Sequence, residues 1–470
     1  MLTGGDRSKG VSHHWVAPHS GQRRAVSYSA PVVDVSPLSS TDDPALTRSD
    51  AGAGAPSRSF WLAVSVAVVV RVVYVASKWT DPLLVNDSLY YSRQASKVAA
   101  GLGFQEPFTD RPGAEHGPLT SLLLAPFSRG DDPVRWQRLA TMLAGIGAVV
   151  VIGFLARRIA GPRTAVVAVG IAALYPNLWM NDGLVMSESI GCLVLALALL
   201  CFARWIDDSS SVDLVAAGAL LGLAGLARSE MLLALPVLAV VVAWRGRADR
   251  GRAVGRAAVF ALAGIVMLVP WTAYNLSRFE RPVLLTTNDG TTLLGANCDD
   301  AYRGSAVGGW SLFCVLDDPG AVPDEEASVR SARQRDAAVR YAIDNAARVP
   351  VVVVARVARG LDLYALDNMI HQDVGEERPR WAAWAGIVSF WFLACCSVVG
   401  FRRCRPEARV VLWAPVVVVA AATVLFYGGH RIRSSAEPVV VVAAAIAIEG
   451  WWAGRRRAAD TDPNTDPNSA

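Results

Sequence analysis

Asp87 is the second residue of the stretch "NDSLYYSRQASKVAAGLGF" (86–104), just past the first long apolar run, and Tyr90 and Tyr91 follow it closely. A lone carboxylate at that boundary suits a general base, because a hydroxyl attacks poorly until a positioned group takes its proton. A second string, "TDRPGAEHGPLTSLLLAPF" (109–127), leads from Glu115 and His116 through Pro118 into an apolar helix. At roughly three turns that helix is too short to span a bilayer. A third, "GGHRIRSSAEPVVVV" (428–442), sets His430, Arg431 and Arg433 beside the last apolar run. Guanidinium groups there could grip a phosphate through charge-assisted hydrogen bonds. Arg228 and Glu230 stand between two apolar runs, while Arg71 and Glu188 lie inside others. An ionisable group at the bilayer centre costs about 2.5–3.5 kcal/mol, so such groups usually face a bundle interior or a wet cavity.

Each of these residues also has a blander role open to it. Asp is a preferred N-cap and Gly a preferred residue after a helix, so Asp87 and Gly101 fit the two ends of a surface helix over 88–100. Tyr90 and Tyr91 fit interfacial aromatics as well as substrate contacts. His116 fits an exposed loop, and the arginines at 431 and 433 fit lipid headgroups. Glu449, near the end of the last run, fits a snorkelling side chain.

The elements that must position these residues follow from hydropathy. The chain has 470 residues, 53% of them hydrophobic, and the apolar ones gather in runs of roughly 17–25 residues, the length of a membrane-spanning helix. Ten spans are predicted, near 60–79, 135–156, 164–180, 183–205, 212–227, 231–244, 257–275, 381–400, 409–427 and 438–454. The fold class is therefore an all-α polytopic membrane bundle. Basic strings such as "ARRIAGPR" (156–163), "RGRADRGRAVGR" (245–256) and "FRRCRPEAR" (401–409) all fall on one side of such a bundle. The positive-inside rule makes that side the cytoplasm, together with both termini. Large segments at 80–134 and 276–380 then lie outside, with smaller ones at "YPNLWMND" (175–182) and "YGGHRIRSSAEP" (427–438). Within the second large segment, residues 328–364 pattern as amphipathic helix broken near Pro350, suited to lie on the membrane surface with its arginines.

Residues 1–58 and 456–470 are polar and form predicted cytoplasmic tails around a membrane domain over 59–455. The net charge of +4 comes mostly from arginines flanking the spans and does not point to nucleic acid. Three lysines against abundant Arg, Ala and Val suggest a high-GC, actinobacterial-like genome. No P-loop, HExxH or CxxC pair is present. Cys298 and Cys314 alone share the oxidising side, so they either pair or remain free thiols; spacing does not fix the geometry.

In the order of its motifs the chain resembles the GT-C class of membrane glycosyltransferases, over about residues 60–450. It is most like bacterial relatives of dolichyl-phosphate-mannose protein mannosyltransferases and of lipid A aminoarabinose transferase. The resemblance rests on Asp87 with Tyr90-Tyr91, "GLGF" (101–104), "AEHGPL" (114–119), "MSES" (186–189), "GLARSEMLLALP" (225–236), "PWTAYN" (270–275), "TTNDGTTLLGAN" (286–297) and "RIRSSAEP" (431–438). Three positions depart from the family pattern. Ser88 replaces the second acid of an Asp-Glu pair, Gly117 the first proline of His-Pro-Pro, and Tyr274 the arginine before Asn275.

The resemblance implies a GT-C-like bundle of about ten helices with outer juxtamembrane helices. It also implies an inverting enzyme of the plasma membrane that moves a monosaccharide from a polyprenyl-phosphate donor to a hydroxyl of a protein, lipid or glycan outside the cell. Asp87 would be the catalytic base, and Arg433, Arg431, Arg228 and His116 would bind the donor phosphate. Tyr90, Tyr91 and Glu188 would line the substrate cavity. A second acid, if one is used, would come from Glu115, Asp110 or Glu106. A divalent metal, Mg or Mn, is compatible with the pattern but not required by it. Two other classes remain, a transporter or flippase of lipid-linked sugars and an accessory subunit with a decayed site. The large outer segments sit asymmetrically and no inverted repeat is visible, which weighs against a transporter.

Overall fold

Caps and prolines fix where the apolar runs become helices. The computed structural model describes residues 55–84 and 86–460, with side chains to 456, so the predicted tails lie outside the described residues except where they join the bundle. Ser57 accepts from the backbone N–H of Phe60 at the start of Arg58–Ser77, and Asp249 accepts from that of Arg252 at the start of Arg250–Leu276. Pro133 and Pro162 occupy the first turns of Pro133–Ala160 and Pro162–Leu174, where a missing N–H costs nothing. No strand occurs among the described residues; a single antiparallel bridge joins Gln105 and Pro112.

Among the described residues, seven helices are long and apolar enough to cross a membrane, which makes this a multi-pass membrane protein. The other three predicted spans are shorter helices: Pro162–Leu174, Ser211–Ala227, and Ala234–Arg245 entered through the 3-10 turn Ser229–Leu233. The 17 residues of Ser211–Ala227 rise about 25 Å, less than a hydrocarbon core of about 30 Å. Small residues bring the backbones together, as membrane interfaces require. A Cβ on Gly400 would fall 1.7 Å from the carbonyl oxygen of Ala443, so the helices Arg380–Arg403 and Glu437–Asp460 meet at a glycine.

The two ends of the bundle differ. At one end Arg158 and Arg405 both pair with Asp207, and Arg245 donates to the carbonyl of Ile206. The other end gathers the connections expected outside. One of them departs from expectation. Residues 175–187 form no exposed turn but a buried, irregular plug between Leu174 and Glu188. Arg71, placed within a span by the sequence, draws the plug inward through a 2.7 Å ion pair with Asp182. Tyr74 donates to the carbonyl of Met180 at 2.9 Å, and Gly145 leaves room for the Asp182 carboxylate.

The amphipathic segment forms Ala327–Asp344 and Val349–Gly360, broken at 345–348 with Pro350 in the second helix's first turn. Val339, Ile343, Val351 and Val354 are exposed on it. Two of its arginines correct the surface picture. Arg356 and Arg359 point into the protein, donating to the carbonyls of Val424 and Ala296 and of Val307 and Ser305. Cys298 and Cys314 are joined by a disulfide.

Candidate functional site

Asp87 is the first residue of Asp87–Ala99, but it does not cap that helix. Asn86 does, its side chain accepting from the N–H of Ser88 at 2.8 Å. The Asp87 carboxylate is therefore released from local duty. Its Oδ2 lies 2.7 Å from Nη1 of Arg431, and its Oδ1 lies 3.4 Å from Nε2 of His116. The connection after the first long apolar helix and the one before the last thus meet at one carboxylate, which keeps 28% of its side-chain surface accessible.

The tyrosine pair builds the histidine's seat rather than an interfacial belt. Tyr90 and Tyr91 are buried, 6% and 2% exposed. The Tyr91 ring stacks on His116 at 4.9 Å and 28°, and Tyr90 meets it edge-on at 4.9 Å. The Tyr90 hydroxyl accepts from Gln94 Nε2 and from the N–H of Glu115. Behind His116, Gly117 lies against Leu226, where a Cβ would come within 2.2 Å of the carbonyl oxygen. The glycine that departs from the family's His-Pro-Pro string thus lets the histidine loop approach the helix leading to Arg228.

Arg431 and Arg228 are held side by side by Glu188, whose Oε1 accepts from both at 2.9 and 2.8 Å. Glu188 is 1% exposed and begins the helix Glu188–Asp208. Arg228 also pairs with Glu230 at 2.6 Å and donates to the carbonyl of Arg431 at 3.1 Å. Glu376 lies 3.4 Å from Nη1 of Arg431 and bridges onward to Arg378.

Electrostatics separate the two nearest acids. Burial pushes the Asp87 carboxyl up, but the adjacent Arg431 and His116 outweigh it and hold Asp87 well below the usual carboxylate range. Burial, reinforced by the Asp87 charge, raises Glu115. For His116, burial acts downward and Asp87 more than offsets it, so the imidazolium is favoured. Two carboxyls with environments that push their affinities for a proton apart are a pattern of acid–base sites.

Other predicted site residues fall elsewhere. The helix His430–Arg433 is a single turn, and at about 100° per residue its positions 431 and 433 project to opposite sides. Arg433 therefore turns away from Asp87, pairing with Asp362 at 2.5 Å and Glu437 at 2.8 Å, 4% exposed. Arg433 is thus buried between two carboxylates, apart from the contact of Asp87 with Arg431. Glu106 and Asp110 sit on the hairpin closed by the Gln105–Pro112 bridge. Glu106 pairs with Arg330, and Asp110, its side chain 94% exposed, faces Lys97. Neither pairs with Arg431 or His116, whereas Glu115 adjoins His116 in the chain.

Several residues of the site escaped the sequence pattern. Glu376, Arg378 and Asp373 come from "HQDVGEERPR" (371–380), and the dense charge just before a span was the available signal. Arg378 pairs with Asp373 at 3.0 Å and donates to Asn181 of the buried plug. It also borders a cavity of about 440 Å³ walled by Lys78, Leu84, Ile370 and Arg380; Asp87 is not among its walls. At the third family departure, Arg278 lies 4.3 Å over the Tyr274 ring and donates to the carbonyl of Gly113, so an arginine one turn later anchors the first loop.

The residues do not fit a resident metal. Among the described residues no group of three His, Cys, Asp or Glu side chains could hold one. The carboxylates of Asp87, Glu188 and Glu376 instead converge on the Arg431 guanidinium.

The model of the dolichyl-phosphate-mannose-protein mannosyltransferase family matches residues 115–274, about a third of the chain. No curated protein matches by sequence. Among solved structures, the chain is similar to the archaeal oligosaccharyltransferase AglB from Archaeoglobus fulgidus in complex with an inhibitory peptide and a dolichol-phosphate. The TM-score is 0.53 at 16% identity, covering 86% of this chain and 52% of that one. The same organism's oligosaccharyltransferase with Zn and sulfate gives 0.53 at 16%, covering 85% and 50%. ArnT from Cupriavidus metallidurans bound to undecaprenyl phosphate gives 0.42 at 17%, covering 88% and 82%. The chain spans about half the length of the archaeal oligosaccharyltransferase. The fold is the GT-C type of helical membrane protein.

Proposed function

We propose that this GT-C-type chain is an inverting glycosyltransferase that moves a monosaccharide from a polyprenyl-phosphate donor to a hydroxyl of a protein, lipid or glycan. In this reading the site faces the outside of the plasma membrane and both termini are cytoplasmic. The observation that carries it is the meeting of Asp87 with Arg431 at 2.7 Å, beside Arg228 on the shared Glu188. A base next to a paired-guanidinium anion site is what transfer from a phosphate donor needs.

Asp87 takes the proton of the acceptor hydroxyl as its oxygen bonds to the anomeric carbon. The bond from that carbon to the phosphate oxygen breaks on the opposite face, so configuration inverts. The polyprenyl phosphate leaves with one more negative charge than it carried as the donor. Arg431 and Arg228, fixed in advance by Glu188, stabilise that developing charge. Glu115, its carboxyl raised by burial and Asp87, is the second acid near the acceptor path.

The purified protein incubated with radiolabelled polyprenyl-phosphate sugars and cell-envelope acceptors should give a labelled glycoside of inverted anomeric configuration. Label that crosses a vesicle membrane without forming a new glycoside would mark a transporter instead. Failure of every donor to yield product would overturn the enzymatic reading.

A further inference from the structure

The same contact that identifies the site also blocks it. In-line displacement sets the acceptor oxygen and the departing phosphate oxygen on opposite faces of the anomeric carbon. Asp87 must then reach the acceptor while Arg431 reaches the phosphate, with the reacting carbon between them and reacting atoms about 3–3.5 Å apart. Asp87 and Arg431 in direct contact at 2.7 Å leave no room for that carbon. A carboxylate that accepts a hydrogen bond from a guanidinium is also a poor proton acceptor, because protonation would forfeit the pair.

The geometry points to an exchange: Arg431 is latched onto Asp87 in the empty site and passes to the donor phosphate on binding, so that the donor itself frees the base. This rests on the glycosyltransferase reading above and adds an order to it, donor before acceptor. Three features suit Arg431 to the exchange. A fifth of its side chain is accessible, so a phosphate oxygen can engage it before Asp87 lets go. Its Nε stays on Glu188 at 2.9 Å, a buried anchor that does not depend on Asp87. Glu188 in turn holds Arg228, which offers a second guanidinium on the same side. Glu188 acts here as a positioning residue, since it touches the cations and not the reacting atoms.

The latch makes Asp87 and the donor phosphate competitors for one cation, and this has a readout that needs no turnover. Binding of undecaprenyl phosphate to the purified protein in nanodiscs should be tighter for Asp87→Asn than for the unaltered chain. Couplings of this kind typically amount to 5–150-fold; an increase of about tenfold is expected. Arg431→Gln should lose most of the binding, and Arg431→Lys, which keeps the charge but not the fork, should recover part of it. Glu188→Gln should weaken binding without abolishing the Asp87→Asn increase when the two are combined. Equal affinity of Asp87→Asn and unaltered protein would overturn the exchange, and so would undiminished binding by Arg431→Gln in protein that melts normally. If Arg431→Gln fails to fold, the comparison of Asp87→Asn with unaltered protein decides alone. The glycosyltransferase reading fails separately, when the unaltered protein transfers sugar from no donor.

Discussion

Gly117 and Leu226 touch so closely that a Cβ on the glycine would stand 2.2 Å from the leucine's carbonyl oxygen. His116 and Arg228 each lie within two residues of this contact, so it sets how near the histidine loop comes to the arginine pair. Gly117→Ala should lower the melting temperature, with a cost of about 1–3 kcal/mol for the forced shift, and should depress transfer further than the loss of folded protein explains. Gly117→Pro, which restores the family's His-Pro-Pro string, should be no better, since proline brings the same Cβ. Thermal melts and transfer rates on the same preparations check both.

Asp87→Asn keeps the side-chain shape and the N-cap, which belongs to Asn86, while removing the base. Transfer should fall by about 10²–10⁴-fold, the usual weight of a general base. Membrane insertion should stay intact, with a modest fall in melting temperature from the lost pairing with Arg431 and His116. Wild-type turnover in this variant would exclude Asp87 as the base.

Much of this site was legible because it depends on residue type at a fixed place relative to the spans. Asp87, His116, Arg228 and Arg431 each stand at the end of an apolar run, and alternation of helices brings such ends together. What one sequence hides is direction. Arg431 and Arg433 are equivalent as text, yet one helical turn sends them to opposite sides, toward Glu188 and toward Glu437. Residues 175–182 read as a short outer turn, and only the partners Arg71 and Tyr74 explain why they fold inward. Glu106, Asp110 and Glu115 are interchangeable by distance along the chain; only the fold shows Glu106 paired with Arg330 and Asp110 facing Lys97. The capping role went to Asn86 rather than Asp87, a choice that local preference alone leaves balanced.

Arg433 makes a contrasting prediction to Arg431. It lies between Asp362 and Glu437, with the Phe390 ring 3.6 Å away. Removing one partner of a buried pair costs about 3–5 kcal/mol, so Arg433→Ala should unfold at markedly lower temperature. In whatever folded fraction remains, the donor KM should be little changed. Arg431→Ala should instead raise the donor KM with a smaller loss of stability. A donor KM that rises for Arg433→Ala alone would return the phosphate role to it.

His430 ties the connection before the last apolar helix to the long segment over 276–380, with Nε2 2.6 Å from Asp362 and Nδ1 2.6 Å from Asp373. Burial acts to lower its pKa, but the two carboxylates prevail and raise it from 6.5 to about 9. A group raised in the folded state adds stability that is complete below its unfolded value, here pH 6.5, and that disappears as pH climbs through the folded value near 9. At about 1.4 kcal/mol per unit the whole effect is on the order of 3 kcal/mol. Melting temperature followed from pH 6 to pH 10 for the unaltered chain and for His430→Gln should therefore show its largest difference at the acid end, narrowing steadily between about pH 7 and 9. Arg433 and Arg378 share the same carboxylates and keep their charge throughout, so the narrowing belongs to the imidazolium. A difference that stays level across the range would mean that His430 holds the loop as a neutral ring.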